Sequence, residues 1–137
     1  MSFIELPGIE DVQEKKILKE GRYNLVITSN PTARRNEKTG KDNLLVVLAV
    51  EGEPDAANIL YNLSLPGAQD ENEARSFKLL QIKRFCHAFG ISLDNGLNTE
   101  EFAGCSAKDI MVKQDEYPKD SGQIKNVMNL PYLPYEE

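Results

Sequence analysis

Period-two alternation marks the first clear element. Over residues 21–29, Tyr23, Leu25 and Ile27 fall on one face and Asn24, Val26 and Thr28 on the other, which is the pattern of a half-buried strand. Asn30-Pro31 closes it, because proline has no N–H to give to a ladder. The polar residues 32–43 follow and predict a long hairpin loop with its turn signal at Lys38-Thr39-Gly40-Lys41. Every position from Leu44 to Val50 is apolar, so a second strand over 43–50 is expected to be covered on both faces or strongly bent. Glu51-Gly52-Glu53-Pro54-Asp55 turns the chain. A third strand over 58–65 sets Ile59, Tyr61, Leu63 and Leu65 against Leu60, Asn62 and Ser64, and Pro66-Gly67 ends it.

The period then lengthens. An acidic lead-in over 68–73 suits the positive end of a helix, and a helix is predicted over 72–89 with Gly90 just past its end. Leu79, Ile82, Phe85, Cys86 and Phe89 form its core-facing stripe, and Phe77 is assigned to the core with Phe85 and Phe89. Asn98 or Thr99 caps a short turn. A fourth strand is expected over 108–115, a polar loop over 116–123 and a fifth strand over 124–129.

The order is therefore β-β-β-α-β-β, mostly β with one main helix. That is the connectivity of a five-stranded OB-fold Greek-key barrel, whose binding face is framed by the loops after strands one and four, here residues 31–43 and 116–123. We divide the chain into an N-terminal lead-in (1–20), an OB-fold single-stranded nucleic-acid-binding domain (21–130) and a Pro/Tyr/acidic tail (131–137). The lead-in carries Phe3, Ile4, Leu6, Ile9, Val12, Ile17 and Leu18 around a Pro7-Gly8 break, and is expected to dock on the core.

Charge changes this picture locally. The net charge of −6 argues against a nucleic-acid partner, but it is segregated. Residues 44–73 hold six acids and no base, whereas the first long loop holds Arg34, Arg35, Lys38 and Lys41 against Glu37 and Asp42. Screening confines each patch to about 10 Å, so a basic groove can exist on an acidic protein. The length of 137 residues suits one domain. No apolar run approaches the roughly 18 residues of a membrane helix, so no membrane partner is expected. The N-terminus lacks the charge and apolar pattern of a signal peptide. Cys86 and Cys105, with no C-x-x-C spacing, are then expected to be reduced thiols in a cytoplasm.

Phosphates require Lys or Arg at several points along a groove. Arg34, Arg35, Lys38 and Lys41 are the candidates on one side, and Lys113, Lys119 and Lys125 on the other, diluted by Asp115, Glu116 and Asp120. Bases want aromatic platforms. There are only five Tyr, five Phe and no Trp, and the candidates are Tyr23, Tyr61 and Tyr117, so the grip should be mostly electrostatic. The basic helix residues Arg75, Lys78 and Arg84 are taken as a solvated or acid-paired face. Catalytic signals are thin. His87 cannot meet its neighbour Cys86 on one helix, and no metal-ligand spacing or phosphate-binding glycine motif occurs. We expect no catalytic residue, no metal and no cofactor.

Several stretches together resemble small phage-encoded single-stranded-DNA-binding proteins with an OB-fold. They are Gly21-Arg22-Tyr23-Asn24-Leu25-Val26-Ile27, Thr39-Gly40-Lys41 before the apolar second strand, Asn62-Leu63-Ser64-Leu65, Phe89-Gly90-Ile91, Phe102-Ala103-Gly104-Cys105, and Gly122-Gln123-Ile124-Lys125-Asn126-Val127. The resemblance implies coating of single strands during phage DNA replication, recombination or repair, in the host-cell cytoplasm, with a homo-oligomer among the anticipated assemblies. It also implies a partner-binding tail, here Leu133, Pro134, Tyr135, Glu136 and Glu137, recruiting replication or recombination proteins. The alternative is an OB-like protein-interaction module that does not touch nucleic acid. An oligosaccharide- or peptide-binding barrel ranks last.

Overall fold

A computed structural model describes residues 2–38, 40–67, 70–116 and 119–133. Its strands are β1 (Gly21–Ile27), β2 (Ala33–Asn36), β3 (Lys41–Val50), β4 (Ile59–Ser64), β5 (Ser106–Glu116) and β6 (Ile124–Asn129). The one main helix, α1 (Asn72–Phe89), lies between β4 and β5, and single 3-10 turns occur at Ile9–Asp11 and Thr99–Glu101.

The six strands form one antiparallel sheet built on β3. One side of β3 pairs with β4, as in Leu44↔Leu63 and Leu48↔Ile59. The other side pairs first with β2 (Leu44↔Ala33) and then with β1 (Leu48↔Ile27). β2 therefore continues β1 along the same edge of β3. β1 pairs with β5, and β5 with β6.

Two expectations are corrected. The sheet has six strands, not five. β3 starts at Lys41, before its apolar run, and its exposed backbone groups recruit residues 33–36 from the predicted loop. Pairing on an exposed edge needs no apolar alternation, so the four exposed residues of β2 carried no strand signal. The sheet is also open rather than a closed barrel. β4 and β6 run close together, but no ladder joins them among the described residues. Part of the lead-in sits in that gap: Lys16 N–H donates to Asp55 C=O (2.8 Å), Ala57 N–H donates to Lys16 C=O (3.0 Å), and Leu18 bonds to Asn126 of β6.

The alternation predicted for the first and third strands is seen in β1 and β4, and β3, expected to be covered on both faces or bent, also buries alternate positions. Leu25 and Ile27, Leu44 to Val50 at every second position, Ile59 and Leu63 are buried. The opposite face of β3 (Leu45, Val47, Ala49) is half-buried. Phe85 lies at the centre, its ring 5.7 Å from Tyr61, 4.6 Å from Phe89 and 5.7 Å from Phe102. Gly90 ends α1 at φ 68, a left-handed conformation that costs glycine little, and the next amide, Ile91 N–H, reaches Cys86 C=O at 2.8 Å. Asn98 caps the second turn through Glu100 N–H at 3.0 Å.

The helix and lead-in bring two further corrections. Burial along α1 falls on Ile82, Phe85, Cys86 and Phe89, whereas Leu79 and Phe77 are exposed. Phe77 instead lines a pocket with Lys78, Gln81 and residues 61–64 of β4. Among the described residues of the lead-in, Leu18 alone is buried in the core, and Phe3, Ile4, Leu6, Ile9, Val12 and Ile17 are exposed. No helix among the described residues is long and apolar enough to cross a membrane.

Candidate nucleic-acid interface

The basic loop is a two-stranded ribbon. Cross-strand partners are Arg34↔Asn43, Arg35↔Asp42 and Asn36↔Lys41. Successive side chains on a strand point to opposite faces, so Arg34 and Arg35 diverge and do not act as one pair. Arg35 is already engaged: its Nε donates to Asp42 Oδ1 at 2.9 Å. That hydrogen bond raises the Arg35 pKa and holds the Asp42 carboxyl below its usual range. Arg34, on the other face, has no ion pair among the described residues. At the tip, Asn36 folds the turn, its Oδ1 accepting Lys38 N–H at 3.0 Å, while the Lys38 side chain is left exposed. Lys41 lies near Asp70, whose carboxyl is lowered first by Gly67 N–H, then by Lys78 and more weakly by Lys41.

Beside this ribbon, the outer face of the sheet is hollowed. A groove of about 490 Å³ crosses from β3 and β4 to β6, lined by Leu45, Leu60, Asn62, Lys125 and Val127, with Ile17 of the lead-in at its border. Register accounts for the lining. Leu45↔Asn62 and Val47↔Leu60 present one face, and Lys113↔Val127 and Asp115↔Lys125 present the other. Of the predicted cations on this second side, register sets Lys113 and Lys125 on one face of the β5–β6 pair. Lys125 lines the groove, although Asp115 stands across the strand from it. Lys113 lies on the same outer face, and Lys119 is exposed in the second loop.

The aromatic candidates turn elsewhere. Tyr23 points its hydroxyl back to Lys19 C=O at 2.7 Å. Tyr61 is half-buried against Phe85, and burial pushes its phenol upward in pKa. Tyr117 lies outside the described residues, as do Pro134, Tyr135, Glu136 and Glu137 of the tail. Leu133 is half-buried, and the exposed ring of Tyr132 stacks against the Arg84 guanidinium, 4.6 Å from its centroid. Of the other helix bases, Lys78 is bonded to Asp70 at 2.9 Å, the acid pairing expected of it.

The groove residues Leu45, Leu60, Asn62 and Val127 were missed from the sequence. Their signal was present: Leu60 and Asn62 stand on the non-core face of an alternating strand. The exposed apolar Leu60 marked a face that binds something or packs. What the groove offers chemically is aliphatic surface, side-chain amides, the ammonium group of Lys125 and the carboxylate of Asp115. Elsewhere, burial and then Cys105 push the Cys86 thiol up to about 11, and Cys105 Sγ donates to Glu101 C=O at 3.1 Å. No protein-family model and no curated protein matches the chain.

Proposed function

We propose that this chain binds single-stranded DNA without sequence preference and without catalysis, in phage DNA replication, recombination or repair. The strand neighbours β4-β3-β1-β5-β6, with α1 between β4 and β5, support an OB-like fold that is unlaced between β4 and β6. On this reading β2 is an addition within the first long loop.

The observation that carries the proposal is the groove beside the basic ribbon. On this reading Arg34 and Lys38 of the ribbon, with Lys119 and Lys125 on the other side, would meet phosphates. Sugars and base edges would lie on Leu45, Leu60 and Val127, with the Asn62 amide as a hydrogen-bonding group. Among the described residues no aromatic ring lines the groove, so the stacking contribution there should be small. Affinity then rests on counterion release and falls steeply with salt.

Fluorescence anisotropy with labelled oligo-dT, a matching duplex and an RNA strand, each at two salt concentrations, tests this. The expected result is preferred binding of the single DNA strand that weakens as salt rises. Absence of binding at low salt overturns it. The second reading, a module that recruits replication or recombination proteins, is favoured by one feature. The groove is aliphatic, and its lysine faces Asp115 on a protein of net charge −6. That composition suits an apolar peptide as well as a strand of DNA.

A further inference from the structure

A second concavity of about 320 Å³ lies between β4 and α1. Residues 61–64 of β4 form one wall, and Phe77, Lys78 and Gln81 of α1 form the other. Asn62 lines both this pocket and the groove, so the two meet at one side chain.

Neighbouring strand residues point to opposite faces, so a wall that includes all of 61–64 runs along the backbone edge of β4. Hydrogen bonding shows which groups lie on that edge. Leu65 N–H donates to Asp42 C=O at 2.9 Å, and the same register sets Leu63 on Leu44 and Tyr61 on Val46. Antiparallel strands bond a given partner at every second residue. The N–H and C=O groups of Asn62 and Ser64 therefore point away from β3, and no backbone partner meets them among the described residues. The facing wall is the phenyl ring of Phe77, 62% exposed, with the Gln81 amide beside it. The cation of the lining is already neutralised, since Lys78 Nζ lies 2.9 Å from Asp70 Oδ2.

An aromatic wall, no net charge, and donors and acceptors along one edge are the complement of a nucleobase, whose faces stack and whose rim alternates donors and acceptors. The volume is at the low end of ligand pockets, about 300–1,000 Å³, which suits one base rather than a length of chain. We propose that the pocket receives a single unstacked base of the DNA strand, stacked on Phe77 and hydrogen-bonded to the β4 edge at Asn62 and Ser64. The inference rests on the single-strand binding proposed above and adds the stacking contact that the groove lacks. Asn62 marks the place where the base leaves the groove. Glu73, one helical turn before Phe77, lies outside the lining and repels phosphate, so the base turns in and the backbone stays on the groove side.

Anisotropy titrations with labelled oligo-dT over a salt series are the test. Because the pocket is neutral, Phe77→Ala should weaken binding about five- to a hundredfold, the loss for one stacked base. The slope of log affinity against log salt should stay as in wild type, since it counts phosphates. Leu80→Ala, exposed on α1 but outside the pocket, should leave affinity unchanged. Phe77→Trp should keep the affinity, and because the chain has no tryptophan of its own, its fluorescence should be quenched as the strand binds. Melting should be unchanged in all three variants. Wild-type affinity in Phe77→Ala, an equal loss in Leu80→Ala, or an unquenched Phe77→Trp with the strand bound overturns the base pocket and leaves the groove reading standing. Failure of the wild type to bind any single strand at low salt overturns both.

Discussion

The side-chain amide of Asn126 stands in for a strand partner to Leu18: its Oδ1 accepts Leu18 N–H at 2.8 Å and its Nδ2 donates to Leu18 C=O at 2.9 Å. Both residues are buried, so each of these groups lacks water as an alternative. Replacing Asn126 with Ala should cost about 1–3 kcal/mol, the usual penalty for stranding buried polar groups. It should also release the lead-in. Urea denaturation measures the first effect, and faster proteolytic cleavage before Gly21 measures the second.

The two adjacent arginines should differ in their effect on DNA. Arg34→Ala should lower affinity and reduce the salt slope by about 0.7 for each phosphate of a single strand that is no longer neutralised. Arg35→Ala should do less, because Asp42 already holds that guanidinium. Asp42→Asn frees Arg35 and should tighten binding. Anisotropy titrations across a salt series check all three. Equal losses for the two arginines would show that the ribbon does not partition them.

Tyr61 and Phe85 separate packing from binding. Phe85 is fully buried among three rings, so Phe85→Ala should destabilise by about 3–5 kcal/mol. Tyr61→Phe keeps the stack and should leave oligonucleotide affinity unchanged. A marked drop in affinity with unchanged melting would return Tyr61 to the binding surface.

The thiols should be distinguishable by chemistry. In the native protein at mildly alkaline pH, Cys105 should react with a thiol reagent well before Cys86, and both should react at once in denaturant. Cys86 also makes stability fall at high pH. Its folded value of about 11 lies above the ordinary value of 9.0, so its protonated form stabilises the fold fully below pH 9 and that contribution is lost as pH rises towards 11. Cys86→Ala should flatten the melting profile over that window relative to wild type.

Much of this fold was legible because burial imposes periodicity. Leu25 and Ile27 share the buried face opposite Asn24 and Val26, α1 begins at Asn72 and ends before Gly90, and β6 spans Ile124–Asn129, as the pattern predicts. What escaped prediction lacked an apolar period. Residues 33–36 pair through backbone groups and one Arg35–Asp42 contact, with no apolar alternation, and the groove is made by strand register rather than by any local motif. Phe77 misled because a phenylalanine on a helix normally faces a core, whereas here it stays largely exposed beside a pocket against β4. The basic residues were correctly singled out as a group, but the pairing of Arg35 with Asp42 depends on cross-strand register, which spacing alone does not reveal.

β2 has a further consequence for how the protein behaves in solution. The edge of Ala33–Asn36 away from β3 has no ladder among the described residues, and such an edge invites a foreign strand to add to it and seed aggregates. Arg34 and Arg35 stand directly on it. Two guanidinium groups resist the approach of an identical edge, so these residues act as gatekeepers of colloidal stability whatever the ribbon binds.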